Sequence, residues 1–352
     1  MATDAFLSII SGKQRGLLAA CLRGVLHPVS YAYGFVVRVR NALFDSGLKK
    51  SYAVPVKVIS IGNLTTGGTG KTPVVAEIAN RLTKQGVKTG LLSRGYRSLS
   101  TGENDEKMVL DRLCPGISHW QNPDRVAGAL QAKAEDPELK ALVLDDAFQH
   151  RRIQRDLDLV LIDATNPWGY GYQLPRGLLR ESKAALKRAD LIVVTRADLV
   201  EADELSTLKQ QIKNIVPEVP LVISRFVASG WLTLDGRELP LEDITSSPLT
   251  ACCGIGNPEN FRNTLTAVNC FVKSFLAFPD HHHYDENDIK ALGGVLKQDQ
   301  TDTLVMTLKD LVKFPADALP GITVAALLIE WDILEGEELL DELLSIAGAE
   351  LQ

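Results

Sequence analysis

A glycine-rich loop lies between an apolar run and a helical segment near the start of the chain, and that order leaves few folds open. The apolar, β-branched run 56–62 leads into residues 63–73, which read NLTTGGTGKTP, and a helical pattern follows over 73–85. Strand, glycine-rich loop and helix in this order are the setting of a Walker A loop, whose backbone N–H groups surround phosphate oxygens. The sequence therefore predicts a nucleotide site here.

The loop residues indicate how phosphate would be bound. Lys71 is expected to reach the β- and γ-phosphates, and Thr72 to place its hydroxyl on Mg²⁺. Thr65 stands where the first glycine of the motif is usual, so the loop resembles the GGxGKT variants. A glycine-rich turn without function is the alternative. Four small residues allow the backbone to approach the phosphates closely: Gly67, Gly68, Thr69 and Gly70.

Beyond the loop, short apolar runs alternate with helical stretches. Strand candidates are 88–93, 141–144, 157–162, 191–195 and 221–226, and the helical stretches are 124–134 and 182–188. Alternating βαβ units predict a mostly parallel sheet covered by helices. The predicted fold class is therefore α/β, with a P-loop NTPase-like, mostly parallel sheet, flanking helices and a smaller α/β second lobe.

The chain of 352 residues is long enough for two domains with separate cores, because single cores rarely exceed about 250–300 residues. A hairpin pattern with an Asp-Gly turn at 231–241 indicates a linker between them. Eight acidic and no basic residues follow from 330 onward, which predicts a solvated terminal helix. We predict a basic amphipathic N-terminal helical segment (1–50), a P-loop nucleotide-binding domain (51–226), a β-ribbon linker (227–247) and a smaller α/β C-terminal lobe with an acidic tail (248–352).

Two carboxylates follow the strand candidate 141–144, at the point where that strand ends. The carboxyl ends of parallel strands are where such sheets bind ligands. Asp145 and Asp146 are therefore expected beside the phosphate loop, where one of them would hold Mg²⁺ directly or through water. A capping role in the next turn accounts for one of the two but hardly for both.

A second acidic pair, Asp105 and Glu106, lies in a polar stretch that we predict to be a loop. Phosphoryl transfer to a hydroxyl needs a carboxylate that accepts the proton, and this pair is a candidate. The run 280–284 reads DHHHY, so its histidines could bind a metal, form a proton-transfer pair with a carboxylate, or lie in a solvated turn. Guanidinium groups suited to phosphates are available at Arg94, Arg125, Arg176 and Arg180.

The first 50 residues carry seven basic and two acidic side chains, a net charge of +5, whereas the whole chain has −6. Helices are predicted over 13–27 and 29–44, with a break at Pro28, and each carries an apolar stripe. This segment could lie in a membrane interface or pack on its own domain. The overall charge argues against a general nucleic-acid binder, and five cysteines without metal-ligand spacing indicate a reducing compartment. No secretory signal is expected.

Several motifs in order along the chain resemble the tetraacyldisaccharide 4'-kinase (lipid A 4'-kinase) family. The phosphate loop is the first of them, and the similarity runs from about residue 25 to 330. The other motifs are LSRGY at 92–96, DDxFQH at 145–150, RD at 155–156, LPxGxLRE at 174–181, CGIGNP at 253–258, FPDH at 278–281 and KDxVK at 309–313.

The resemblance implies a bacterial kinase that uses ATP and Mg²⁺ to phosphorylate the 4'-hydroxyl of a tetraacyl glucosamine disaccharide 1-phosphate in lipid A (lipopolysaccharide) biosynthesis. It implies a peripheral enzyme on the cytoplasmic face of the inner membrane, held partly by its N-terminal helix. Lys71 and Thr72 then serve the phosphates and Mg²⁺, and Asp145 and Asp146 the metal. Asp105 matches the family's base, with His281 as its partner. Positions around the active cleft match at Arg125, Gln149, His150, Arg180 and Glu181.

Three positions depart from the family pattern: Arg97, Ala147 and Leu308, where glycine, glycine and glutamate are usual. Two other functions stay open at this point. The run Thr195-Arg196-Ala197-Asp198 distantly resembles a guanine-reading motif, so a regulatory or metal-delivery P-loop GTPase is one alternative. A kinase-like scaffold without activity is the other, although the intact phosphate loop and acidic residues argue against it.

Overall fold

The computed structural model describes residues 2–95, 105–256 and 258–349. The chain folds into two compact units. Unit 1 comprises Met1–Gly95, Gly116–Arg225 and Asp332–Gln352, and unit 2 comprises Tyr96–Pro115 and Phe226–Trp331. The four segments predicted from the sequence differ from these two units and remain a prediction.

Helices and strands alternate along most of the chain. The helices are α1 (Ala2–Ile10), α2 (Leu17–Asp45), α3 (Lys71–Lys84), α4 (Asp105–Leu113), α5 (Arg125–Glu135), α6 (Ala202–Ile215), α7 (Leu241–Thr245), α8 (Pro258–Ala267), α9 (Glu286–Asp299), α10 (Leu308–Leu311) and α11 (Glu337–Ala349). The strands are β1 (Lys57–Asn63), β2 (Thr89–Ser93), β3 (Ser118–Gln121), β4 (Ala141–Asp145), β5 (Leu157–Asp163), β6 (Leu191–Thr195), β7 (Leu221–Thr233), β8 (Glu238–Leu239), β9 (Leu249–Cys253), β10 (Val272–Ala277), β11 (Thr303–Met306) and β12 (Thr323–Glu335).

The sheet of unit 1 is parallel, with β1 between β4 and β5, β2 and β3 beyond β4, and β6 beyond β5. The first residues of β7 pair in parallel with β6. Ile59 and Ile61 of β1 are fully buried, as expected for a central parallel strand covered on both faces. Ile61 is in register with Asp145. The carboxyl ends of β1 and β4 therefore bring the phosphate loop and the acidic pair to one edge, and the predicted α/β class is confirmed.

Unit 2 is a smaller α/β unit built on parallel strands. In it β9 pairs with β10 and β11, and β11 pairs with β12. The predicted hairpin is present as an antiparallel pair of β7 and β8, with Trp231 opposite Leu239. Trp231 is fully buried and packs in a core with Leu249, Ala251 and Val305. An apolar core of this kind gives unit 2 its own source of stability.

Pro28 does not break the N-terminal segment, so the predicted break is wrong. Helix α2 runs unbroken from Leu17 to Asp45 with Pro28 inside it. An interior proline costs about 3 kcal/mol because it removes one backbone hydrogen bond. Contacts after the proline offset that cost, since Ser30 Oγ donates to the Gln173 carbonyl at 2.6 Å and Tyr33 OH donates to the Arg180 carbonyl at 3.1 Å. The N-terminal segment has a further contact before α2, where Arg176 NH1 donates a hydrogen bond to the Ile10 carbonyl at 2.7 Å.

The acidic C-terminal segment is packed, which corrects the prediction of a solvated helix. Leu340 and Leu344 of α11 are fully buried. Arg81 of α3 pairs with Glu337 at 2.7 Å and with Asp341 at 3.1 Å. The prediction followed the excess of negative charge and missed an apolar stripe at i and i+4, which is the spacing of one helix face.

Helices α4 and α6 are among those that form where no helix was predicted. Asp105 and Glu106 begin α4, not a polar loop, and their carboxylates suit the first turn because the helix dipole is positive there. Helix α6 was not predicted either, although buried Leu208 and Ile212 are spaced as on one helix face.

Candidate functional site

The phosphate loop has the backbone that its glycines make possible. Gly67 has φ 121° and Gly70 has φ 81°, and Gly70 caps the N-terminus of α3, which begins at Lys71. Side chains with a Cβ rarely adopt positive φ, so these two positions favour glycine. The loop therefore presents the N-terminus of α3, where unpaired N–H groups and the helix dipole attract anions.

Side chains from β1 and β6 brace the loop. Asn63 Nδ2 donates to Thr69 Oγ1 at 3.0 Å, and Thr195 Oγ1 donates to the Thr69 carbonyl at 3.1 Å. Asn63, Thr69 and Thr195 are all buried. Because buried polar groups held on both sides resist movement, Thr69 is fixed between the two strands.

Arg196 makes a further contact with the loop. Its NH1 group donates to the Gly68 carbonyl at 2.9 Å and also forms an ion pair with Asp163, at the end of β5. Sequence reasoning assigned Thr195 and Arg196 only to a distant guanine-reading pattern. Their position at the carboxyl end of a parallel strand was the signal that could have placed them beside the loop.

Lys71 of the phosphate loop forms an ion pair with Asp146. Lys71 Nζ lies 3.5 Å from Asp146 Oδ1 and 3.5 Å from Asn63 Oδ1. Arg180 NH1 donates to both Asp146 oxygens, at 2.9 and 2.8 Å. Burial alone would raise the pKa of Asp146, but the charges of Lys71 and Arg180 outweigh it and lower that pKa. Asp146 is therefore an ionised carboxylate between two cations.

Asp145 lies at the end of β4 and is buried together with Arg125. Arg125 NH2 donates to the Asp145 carbonyl at 3.2 Å, and the Arg125 backbone N–H donates to His150 Nε2 at 3.3 Å. Burial, together with the positive charges of Arg125 and Arg40, lowers the pKa of His150 to about 4. His150 is therefore a neutral acceptor at physiological pH.

Gln149 forms hydrogen bonds with both β1 and Arg180. Its Nε2 donates to the Asn63 carbonyl at 2.9 Å, and its Oε1 accepts from Arg180 NH1 at 3.3 Å. The Gln149 carbonyl also accepts a hydrogen bond from Arg40 of α2. Gln149 thereby orients Arg180 toward Asp146.

Glu181 lies under α2, away from the direct contacts of the loop. It is 1% exposed, accepts from Asn41 Nδ2 at 2.6 Å and pairs with Arg188 NH1 at 3.0 Å. The contact with Asn41 holds α2 against the rest of unit 1. Arg94 follows β2 and is exposed.

The residues predicted to hold Mg²⁺ fit that ion chemically. Mg²⁺ prefers oxygen ligands and is commonly bound by one or two carboxylates together with substrate phosphates and water. Thr72 supplies a hydroxyl at the N-terminus of α3, and Asp145 and Asp146 supply two carboxylates at the carboxyl end of β4. Within the described part of the chain, His, Cys, Asp and Glu side chains form no cluster of three or more that could hold a metal. The three histidines 281–283 lie within that part of the chain.

In unit 2, the carboxylate of Asp105 has two hydrogen-bonding partners, His281 and Lys313. Its Oδ2 lies 3.0 Å from His281 Nδ1 and accepts a hydrogen bond from Lys313 Nζ at 3.0 Å. The side chains of Asp105 and Lys313 are 9% and 4% exposed, whereas that of His281 is 63% exposed. Burial would raise the pKa of Asp105, but the hydrogen bonds from His281 and Lys313 outweigh it and lower that pKa.

The loop after β10 places His281 for this contact. His281 has φ 58°, and its backbone N–H donates to the Gly254 carbonyl at 3.1 Å. The Gly254 N–H in turn donates to buried Asp310 Oδ1 at 3.0 Å. His282 points elsewhere and pairs with Asp288 at 2.8 Å. The run of three histidines thus supplies one partner for Asp105, and Lys313 is a second that sequence reasoning did not assign to a site.

These observations define a P-loop NTPase-like α/β protein. In its second unit, the carboxylate of Asp105 is paired with His281. A family model described as LpxK, tetraacyldisaccharide-1-P 4'-kinase, matches residues 22–347. Tetraacyldisaccharide 4'-kinases from Geobacter sulfurreducens and Anaeromyxobacter dehalogenans are 33% and 35% identical to the chain. The alignments cover 93% and 87% of this chain and 94% and 86% of those relatives.

A solved structure agrees with the relatives. The crystal structure of the apo form of LpxK from Aquifex aeolicus in complex with ATP has a TM-score of 0.74 and 30% identity, and the match covers 93% of this chain and 99% of that one. The chain belongs to the tetraacyldisaccharide-1-P 4'-kinase family. The resemblance stated from the motifs is confirmed, and the GTPase alternative is not favoured.

Proposed function

We propose that the chain transfers the γ-phosphoryl group of ATP to the 4'-hydroxyl of a tetraacyl glucosamine disaccharide 1-phosphate in lipid A biosynthesis. The observation that carries this proposal is the braced phosphate loop with Lys71 facing Asp146, in a chain of this kinase family. Phosphoryl transfer depends mainly on positioning and on stabilising the negative charge of the phosphates. Both requirements fit the residues of unit 1.

In this proposal the phosphate loop binds the ATP phosphates. Backbone N–H groups of Gly67–Gly70 and the N-terminus of α3 surround the phosphate oxygens. Lys71 and Arg180 supply positive charge for the transferred group. Thr72, Asp145 and Asp146 would hold Mg²⁺, which neutralises phosphate charge when it is bound.

Asp105 is proposed to accept the proton of the attacking hydroxyl. Its lowered pKa keeps it ionised at neutral pH, so it is ready to accept a hydrogen bond from the hydroxyl. A weakly basic carboxylate suffices because the transition state of phosphoryl transfer is loose and the proton moves late. His281, which contacts Oδ2, is proposed to orient the carboxylate.

The remaining predicted positions are proposed as supports of the active cleft. Arg125 and His150 hold the end of β4 in place, and Gln149 aligns Arg180. Glu181 anchors α2 through Asn41. Among the residues predicted for the cleft, exposed Arg94 is proposed to meet the acylated disaccharide, where its guanidinium group would bind the 1-phosphate.

We propose that α2 attaches the chain to the cytoplasmic face of the bacterial inner membrane. Leu17 and Leu18 are 87% and 85% exposed, and Tyr31 and Phe35 are 70% and 63% exposed. Apolar side chains of this size on a basic helix suit the interface of an anionic bilayer. In the part of the chain that the structure describes, no helix has the length and apolar character needed to cross a membrane.

The test is a transfer assay with γ-labelled ATP, Mg²⁺ and the tetraacyl disaccharide 1-phosphate in detergent micelles. Wild-type protein is expected to label the lipid, and K71M to lose at least about 10²-fold of that activity, since removing a charge-stabilising group costs about 10²–10³-fold. The matched control K290M replaces an exposed lysine of α9 and is expected to keep wild-type activity. Nucleotide hydrolysis without lipid labelling, or transfer from GTP in preference to ATP, would contradict the proposal.

A further inference from the structure

We propose that Lys313 is a positioning residue for Asp105, holding Oδ2 so that Oδ1 is the oxygen that receives the substrate proton. The inference rests on the proposed role of Asp105 as base. Lys313 follows α10 and is part of the KDxVK motif at 309–313, to which the sequence assigned no role in the site. The two contacts of Asp105 with His281 and Lys313 fall on one oxygen, Oδ2.

The burial of Lys313 is the first argument. A lysine with a side chain only 4% exposed has lost nearly all of its hydration, and a buried ammonium is costly unless it is paired. Its partner is Asp105, which is 9% exposed. An exposed ion pair contributes little and forms readily by chance, whereas this pair is enclosed. Removing the lysine would therefore leave a buried carboxylate without its charge partner.

The two partners of Asp105 differ in how far their side chains are exposed to solvent. The side chain of His281 is 63% exposed, so water and salt screen its interaction with Asp105. The side chain of Lys313 is only 4% exposed, so its interaction with Asp105 is screened much less. Lys313 is therefore the partner whose charge acts most strongly on Asp105. Other charged groups on the elements that bear these residues or pack on them are Glu106, Lys107, Asp111 and Arg112 of α4, Lys309 and Asp310 of α10, and Asp280 beside His281.

The proposed step has a simple proton balance. The hydroxyl oxygen forms a bond to the γ-phosphorus while the bond from that phosphorus to the bridging oxygen breaks and ADP leaves. The hydroxyl proton moves to Oδ1 of Asp105 and from there to solvent, while His281 and Lys313 keep their contacts with Oδ2. Lys313 gains and loses no proton. Fixing Oδ2 prevents the carboxylate from rotating, so the lone pair on Oδ1 stays directed at the hydroxyl.

The test compares K313M, K313R and the control K290M in the full-length protein. The pKa of Asp105 is followed by ¹³C NMR of carboxyl-labelled aspartate, assigned by the signal missing in D105N, and kcat/KM is measured from pH 5 to pH 8. In K313M we expect a raised pKa for Asp105 and a larger fall in kcat/KM between pH 8 and pH 5 than in wild type, because the ionised fraction of the carboxylate at pH 5 decreases as that pKa rises. K313R is expected to restore most of the wild-type profile, and K290M to match wild type.

An unchanged Asp105 pKa and pH profile in K313M would overturn the inference. Circular dichroism checks folding, and K313Q replaces K313M if the latter unfolds. Unfolding of both uncharged variants would also overturn it, because the role of Lys313 would then be structural. The two hypotheses fail separately: D105N with wild-type turnover rejects the base itself, whereas an inactive D105N with no pKa change in K313M rejects only the positioning role.

Discussion

Lys71 Nζ lies 3.5 Å from Asp146 Oδ1, so the cation of the phosphate loop and the carboxylate after β4 form an ion pair. The same carboxylate is held on its other side by Arg180. Asp145, the neighbour of Asp146, instead contributes its backbone carbonyl to Arg125. Two adjacent aspartates therefore have different surroundings, and different substitutions should separate their roles.

We expect D146N to raise the Mg²⁺ concentration needed for half-maximal activity by about 10–100-fold, as for other changes near a metal. The amide cannot balance Lys71 and Arg180, so the positive site would also disfavour the ion. D145N is measured alongside, and the variant with the larger shift identifies the carboxylate closer to Mg²⁺. D203N, at an exposed position of α6, is the control. Unchanged Mg²⁺ dependence in both D145N and D146N would contradict the assignment.

Replacing the proposed base should affect turnover more than ATP binding. We expect D105N to lower kcat by about 10²–10⁴-fold, the usual contribution of a general base, with little change in KM for ATP. D111N lies on the same helix and pairs with Lys107 on the surface, so it controls for the loss of a carboxylate from α4. The measurement is a steady-state transfer assay at pH 8. A D105N enzyme as active as D111N would remove Asp105 from the chemistry.

Local patterns were enough to predict the phosphate loop, the acidic pair after β4 and most strands of unit 1. Each of these depends on a few neighbouring residues, such as glycines at positive φ or a buried β-branched run. The parallel sheet then brings Lys71 and Asp146 to one edge without further information. That part of the site follows from connectivity, because β1 and β4 are neighbours in a parallel sheet.

Features that depend on distant contacts were not predicted. Lys313 contacts Asp105 across 208 positions of sequence, and no periodicity reports such a pairing. Pro28 was expected to end a helix because its local cost is high, and contacts with residues beyond 170 reversed that outcome. Arg81 likewise pairs with the acidic terminal helix from 256 positions away. Tertiary contacts outweighed local propensity in each case.

The packing of α11 leads to a stability prediction. Leu340 is fully buried, whereas its neighbour Leu339 is 40% exposed. Truncating a buried leucine removes apolar contacts and leaves a cavity, so we expect L340A to lower the free energy of unfolding by about 2–5 kcal/mol. L339A is the matched control and is expected to cost less than about 1 kcal/mol. Urea unfolding followed by circular dichroism measures both. Equal effects would mean that α11 is not packed through Leu340.

His150 should make stability depend on pH. Its pKa is lowered to about 4 in the folded chain by burial and by Arg125 and Arg40, so between about pH 4 and pH 6.5 the unfolded chain binds more protons. Stability from this residue therefore rises with pH through that window and is lost as pH falls through about 4.

The difference in unfolding free energy between wild type and H150Q should grow by about 2 kcal/mol from pH 4 to pH 7. H283Q replaces an exposed histidine and serves as the control. Urea unfolding at several pH values gives the comparison, and the other titrating groups cancel in the difference. If the H150Q difference stayed constant across the window, the histidine would not be held neutral.

The exposed face of α2 can be tested without removing the helix. Deleting residues 1–28 would shift the protein to the soluble fraction if the segment is a membrane arm, but it would also remove the contact between Ile10 and Arg176. L17Q/L18Q is a milder change, because neither side chain is buried in the folded chain. Each leucine withdrawn from a bilayer costs about 1.5–3 kcal/mol, so binding to anionic vesicles should fall by about 10²-fold or more.

The matched control for that experiment is L130Q/L199Q, which replaces exposed leucines on α5 and after β6. Sedimentation with vesicles of phosphatidylethanolamine and phosphatidylglycerol gives the bound fraction, and transfer to substrate in detergent micelles checks that catalysis is intact. We expect L17Q/L18Q to lose vesicle binding while keeping activity in micelles, because Lys71 and Asp105 are not altered. Vesicle binding equal to that of L130Q/L199Q would show that another surface attaches the chain to lipid.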